Sequence, residues 1–134
     1  MRISSFDDLL RAARAQPDAQ RLLFVFAKAG VPDDATPEQR ERFRSGRGGT
    51  LAPLMCVVKL PDELSSFDAL LEESRQFGKS WDIVFVASLP GTGRRAPTPE
   101  QAQEAMERMV ASIASGAIGR YIPFDSYGQP VRFG

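Results

Sequence analysis

The sequence predicts an α/β fold: a layered sandwich on a mostly parallel sheet of four to five strands, in a single domain spanning residues 1–134. Three observations predict it. Short apolar runs alternate with segments whose apolar residues recur at helical spacing. Two of those runs, LLFVF at 22–26 and IVFVA at 83–87, are apolar on both faces, as strands covered by helices on each side must be. The third observation is an internal repeat. SSFDDLLRAARAQPDAQRLLFVFA at 4–27 aligns without a gap on SSFDALLEESRQFGKSWDIVFVAS at 65–88, an offset of 61 residues, and TPEQ at 36–39 returns at 98–101, an offset of 62. Nine of the 24 aligned pairs are identical, where average residue usage gives roughly one or two by chance. The implied order is αβαβ twice, in pseudo-repeats of about 4–60 and 65–124, with a C-terminal edge hairpin ending in a strand at 130–133. Strands separated by helices favour parallel pairing through right-handed crossovers. The alternative is an α+β fold with a mixed sheet, in which the second helix is a loop and the first two strands pair antiparallel.

Each element has its own local signal. Phe6, Leu9, Leu10 and Ala13 make an amphipathic helix over about 5–16, closed by Pro17. Ser4 with Asp7 reads as its cap, and Ser65 with Asp68 repeats the pattern. After the strand at 22–26, the segment 29–35 is a loop. Thr36 then caps a second helix, with Pro37 where a missing N–H costs nothing and Gln39 completing a capping box. Phe43 is its one large apolar residue, so this helix is weak and solvated, frayed by Gly46. LMCVV at 54–58 reads as a second buried strand. Phe67, Leu70, Leu71 and Ser74 repeat the first helix, and IVFVA repeats the first strand. Thr98 opens a far more apolar helix, with a stripe of Ala102, Met106, Met109, Val110 and Ile113 ended at Gly116. The tail gives a strand at 120–124, a turn at Tyr127 and Gly128, and the last strand; Pro123 and Pro130 confine both strands to an edge.

Composition narrows the function. Lysine plus arginine equals aspartate plus glutamate, 17 against 17, which argues against nucleic acid and an anionic membrane as partners. The opening residues carry acids where a signal peptide needs an apolar run, so a cytoplasmic location is expected. A single cysteine rules out an internal disulfide and a multi-cysteine zinc site. The absence of histidine removes the commonest general base, the commonest transition-metal ligand and every imidazole-dependent triad. No catalytic residue, metal or cofactor is expected.

In a parallel sheet, ligands gather beyond the carboxyl ends of the strands. Gly91, Gly93, Arg94 and Arg95 lie there and suggest an anion site of backbone N–H groups and guanidinium forks, against the reading of a solvated surface loop. Their spacing matches neither the P-loop nor the dinucleotide fingerprint. Counted back from TPEQ, Pro32 and Asp33 take the places of Arg94 and Arg95, so acidic Asp33 and Asp34 face a basic counterpart and suggest self-association. Arg40, Arg42, Arg44 and Arg47 form a second basic cluster, suited to a partner contact or simply solvated; Glu38 and Glu41 dilute it as a nucleic-acid footprint. The pairs Asp33–Asp34 and Asp62–Glu63 fit acids that serve helix dipoles. Cys56 reads as a small buried hydrophobe and Trp81 as a packing residue. A histidine-independent enzyme would have to use carboxylates or Lys28 and Lys59 at the strand ends.

The segments SSFDALLEESRQFG, WDIVFVASL and PDELSSFD and the ending YIPFDSYGQPVRFG resemble a small family of uncharacterised bacterial proteins of about this length. The resemblance covers nearly the whole chain and brings no catalytic motif. Members sometimes carry the label ribonucleotide reductase subunit alpha, but that chemistry needs several redox cysteines, and Cys56 stands alone. The expectation is a non-enzymatic binding or protein-interaction module; the alternatives are a small-anion or nucleotide binder using 90–97, and a histidine-independent enzyme.

Overall fold

The computed structural model describes residues 5–31, 34–45, 50–64, 66–78 and 80–131. Its elements are α1 (Phe6–Arg14), β1 (Gln20–Gly30), α2 (Pro37–Arg44), β2 (Thr50–Lys59), a 3₁₀ turn (Pro61–Glu63), α3 (Phe67–Arg75), β3 (Ile83–Pro90), α4 (Pro99–Ala114) and β4 (Ile122–Asp125). Both TPEQ boxes form. The Gln39 N–H donates to Thr36 Oγ1 at 3.2 Å and the Thr36 N–H to Gln39 Oε1 at 2.9 Å; the Thr98–Gln101 pair repeats this at 3.1 and 2.9 Å. The serine caps sit one residue later than expected. Ser5 accepts from the Asp8 N–H and Ser66 from the Ala69 N–H, each at 3.2 Å, while Ser4 and Ser65 lie outside the described residues.

The sheet corrects the expected topology. Its order is β2-β1-β3-β4 and all three pairings are antiparallel, so the fold is α+β and not a mostly parallel α/β sandwich. The alternative is also only half met: β1 and β2 pair antiparallel, but α2 is a helix, and no parallel pair makes the sheet mixed among the described residues. For β1 and β2 the reason lies in α2. A helix crossing between parallel strands must lay an apolar stripe on the sheet, and α2 buries no residue. The chain therefore leaves β1, makes α2 away from the core, and returns beside β1 in the opposite direction.

Two apolar layers flank the sheet. On one face Leu22, Phe24, Phe26, Val84 and Val86 pack against α1 and α3. On the other, Leu23, Val25 and Phe85 pack under Met106, Met109 and Ile113 of α4. LMCVV is thus no doubly buried strand. β2 is an edge, with Met55 and Val57 buried and Cys56 and Val58 exposed.

Side-chain direction also moves the repeat by one residue. The ungapped alignment matches Phe24 with Phe85 and Val25 with Val86, yet Phe24 and Val86 share the α1/α3 face while Val25 and Phe85 share the α4 face. Successive strand residues point to opposite faces, so a one-residue slip inverts every side chain. Matching faces requires an offset of 62 in the strands, as in the TPEQ helices, and 61 only for α1 and α3. The extra residue falls between α3 and β3. At that offset Phe24 corresponds to Val86, its own cross-strand partner, so the register is that of a twofold axis through this pair.

At the C-terminus β4 pairs with β3 as the other edge, where Pro123 is tolerated. Asp125 Oδ1 accepts from the N–H groups of Tyr127 and Gln129 at 2.9 and 3.0 Å, turning the chain so that Pro130 bridges Phe124. Of the strand expected at 130–133, residues 132 and 133 lie outside the described residues. No helix among the described residues is long and apolar enough to cross a membrane.

Candidate functional site

Antiparallel pairing separates the residues that a parallel sheet would gather. The carboxyl end of β1 lies beside the start of β3, with Ala27 opposite Ile83, and the carboxyl end of β3 beside the start of β1, with Pro90 opposite Gln20. The loop carrying Asp34 and the loop carrying Arg94 and Arg95 therefore leave opposite ends of the sheet. Asp34 is exposed, and Asp33 lies outside the described residues. Lys28 and Lys59 are also at opposite ends: Lys28 pairs with Ala52, and Lys59 pairs with Leu22 and binds Glu73 at 3.0 Å.

The loop at 91–95 is a clasp on the chain's own backbone. The Gly91 N–H donates to the Ala19 carbonyl at 2.8 Å, the Ala19 N–H to the Gly93 carbonyl at 2.7 Å, and the Gly93 N–H to Asp18 Oδ1 at 2.8 Å. Thr92 and Arg95 exchange both backbone bonds, at 2.8 and 2.9 Å. Glycine is required at 91 because a Cβ there would lie 1.9 Å from the Arg95 carbonyl oxygen. The two glycine N–H groups expected to hold an anion are thus committed inside the chain, and Arg94 and Arg95 extend from the clasp as exposed side chains. In the other basic cluster Arg42 and Arg44 are exposed, Arg44 meets Glu41 at 3.4 Å, Arg40 is half-buried, and Arg47 lies outside the described residues.

The concave surfaces are elsewhere. Among the described helices α4 alone buries residues on its face of the sheet, and a single helix is narrower than the sheet, so a groove opens along each flank. The first, about 750 Å³, runs between α4 and edge strand β2, with Cys56, Val58, Met106 and Val110 forming its apolar wall. Arg21, Glu63 and Glu107 stand on its rim. Arg21 is anchored at the start of α4, its Nε donating to the Pro97 carbonyl at 2.9 Å. The second, about 470 Å³, runs between α4 and β3, with Arg108, Arg120 and Tyr121 among its lining residues. Successive helix residues turn by 100°, so Glu107 and Arg108 fall on opposite flanks and give the two grooves different charge.

Cys56 is exposed in the first groove, contrary to the buried position expected, because β2 is an edge strand covered on one face only. Partial desolvation by the apolar wall still pushes its thiol above the usual cysteine range. Sequence reasoning missed the groove residues Val58, Arg108, Arg120 and Tyr121. The readable signal was Val110, which broadens the apolar stripe of α4 toward β2. No group of three or more aspartate, glutamate, cysteine or histidine residues that could hold a metal ion occurs among the described residues. Comparison of the chain with protein-family models, curated proteins and solved structures finds no match in any of the three.

Proposed function

We propose that this chain is a non-enzymatic protein-interaction module of the bacterial cytoplasm that takes an extended segment of a partner protein along the free edge of β2. The observation that carries this reading is the coincidence of an unpaired strand edge with an apolar groove beside it. β2 pairs only with β1, and among the described residues the backbone of 51–58 makes no hydrogen bond beyond that ladder. Proteins normally blunt such edges. Here the first half is blunted, by Pro53 and by a bulge that sets Pro53 and Met55 opposite successive residues Ala27 and Phe26. Residues 55–59 are left regular. A strand added there would gain main-chain bonds and send alternate side chains toward Val58 and Met106 in the groove. Glu63 and Glu107 outnumber Arg21 on the rim, favouring a segment of alternating apolar residues with a basic neighbour.

The test is selection from a displayed library of extended peptides, followed by amide-shift mapping of a selected peptide on the isotope-labelled protein. Shifts confined to residues 54–59 and the β2-facing flank of α4 are expected. Val58→Glu, at a position 37% exposed, should weaken binding at least about tenfold, on the order of 1.4 kcal/mol. Failure to select any binder, or shifts that ignore Val58→Glu, overturns the proposal. Sedimentation showing that two copies already pair through this edge would make the occupant a second copy and equally overturn it.

A further inference from the structure

The second groove has a different chemistry from the first. Its floor is apolar, with Leu23 and Ala87 from the sheet and Met109 from α4, while Arg108 and Arg120 line it together with Ser112 and Tyr121. Among the described residues, no aspartate or glutamate lines it. Neither guanidinium has a carboxylate or carbonyl partner among the described residues, and the same holds for the hydroxyls of Ser112 and Tyr121.

The convergence is built by the end of α4. Gly116 adopts φ +85°, its N–H donates to the Ile113 carbonyl at 3.0 Å, and the Ala117 N–H reaches back to the Ser112 carbonyl at 2.8 Å. This is the Schellman arrangement, which satisfies the last carbonyls of a helix and reverses the chain. Ile118 and Tyr121 then pack on the α4 core cluster, and the Tyr121 N–H donates to the Ile118 carbonyl at 3.1 Å. Arg120, twelve residues after Arg108 in sequence, thereby lines the same groove as Arg108. The groove does not suit α2 of a second copy, whose Arg40, Arg42 and Arg44 would meet these arginines.

We infer that this groove is a binding site for a small ligand carrying a carboxylate or phosphate on an apolar body, with Arg108 and Arg120 taking the anion and Leu23, Ala87 and Met109 the body. Guanidinium forks match both anions, and both anions can accept from the tyrosine and serine hydroxyls. A groove of about 470 Å³ is within the size of small-molecule sites. The site is separate from the β2 edge, and Val58→Glu should leave it unchanged.

The experiment titrates isotope-labelled protein with phenyl phosphate and with benzoate, using benzyl alcohol and inorganic phosphate as controls. Amide shifts are expected at Arg108–Ser112, Ile118–Tyr121 and Ala87–Leu89, and the stronger of the two anionic probes names the head group. Arg108→Ala and Arg120→Ala, both at exposed positions, should each weaken that probe at least fivefold with an unchanged melting temperature. Absence of shifts with either probe overturns the inference, as do shifts centred on Thr92–Arg95. So does equal binding of benzyl alcohol, equal binding of inorganic phosphate, or unchanged affinity in either variant.

Discussion

Replacing Phe6 by alanine tests the packing of the four elements that meet at its ring. Phe6 is 1% exposed. Its centroid lies 5.1 Å from Phe67 of α3, 5.4 Å from Phe124 of β4 and 6.1 Å from Phe24 of β1, the first two edge to face. Removing a buried phenylalanine side chain costs about 3–5 kcal/mol, which includes the cavity its neighbours cannot fill. The two lost edge-to-face pairs, each worth about 0.5–1.5 kcal/mol beyond area burial, put the expected cost near the upper part of that range. Against a total stability of about 5–15 kcal/mol, Phe6→Ala should remove at least about a fifth. The control is Phe43→Ala in α2, a helix that buries nothing, where about 0.5 kcal/mol or less is expected. Urea unfolding followed by Trp81 fluorescence measures both. Trp81 reports on the core because its ring meets Phe26 edge to face at 4.9 Å and its indole N–H donates to buried Ser74 at 3.0 Å. A loss below about 1.5 kcal/mol for Phe6→Ala, or an equal loss for Phe43→Ala, would refute the assignment of these helices to core and periphery.

Cys56 should be a slow nucleophile: because desolvation raises its pKa, alkylation should follow a pH profile displaced upward from that of the unfolded chain. The folded state keeps this proton longer, so the thiol's contribution to stability is present below its unfolded pKa and falls as pH rises through the folded value. A profile coincident with the unfolded chain, measured by mass spectrometry, would remove the apolar wall from the description of the first groove. Gly91→Ala should cost about 1–3 kcal/mol, since its Cβ would force the Arg95 carbonyl away and open the Ala19 clasp. Hydrogen exchange at Ala19 reads this directly, and Gly93→Asn, at φ +58° with open space around it, should leave Ala19 protected.

Much of the chain is legible from local chemistry. The TPEQ boxes, the buried stripe of Ala102, Met106, Met109 and Ile113, and the solvated character of α2 follow from residue type and spacing. The boxes are contacts within a few residues, and the stripe and the solvated helix are patterns of residue type at helical spacing, both of which sequence order reports directly. The candidate site was less legible. Arg108 and Arg120 converge because of the turn at Gly116, and the glycines of GTGRR serve a contact with Asp18 and Ala19 more than 70 residues away in sequence.

The sequence by itself determined the order of helices and strands, which helix carries an apolar stripe and that αβαβ occurs twice in order. Tertiary structure decided strand direction and side-chain face. Between β1 and β2 the helix α2 buries no residue and so cannot make the crossover that parallel pairing needs. β3 and β4 pair antiparallel although α4 packs on the sheet, so an apolar helix between two strands does not by itself set their direction. Face depends on cross-strand register, which sets Phe24 beside Val86 and moves the strand match by one residue from the alignment of identical letters. Identity between two segments is blind to that parity, because only a partner strand and a core define which side is in.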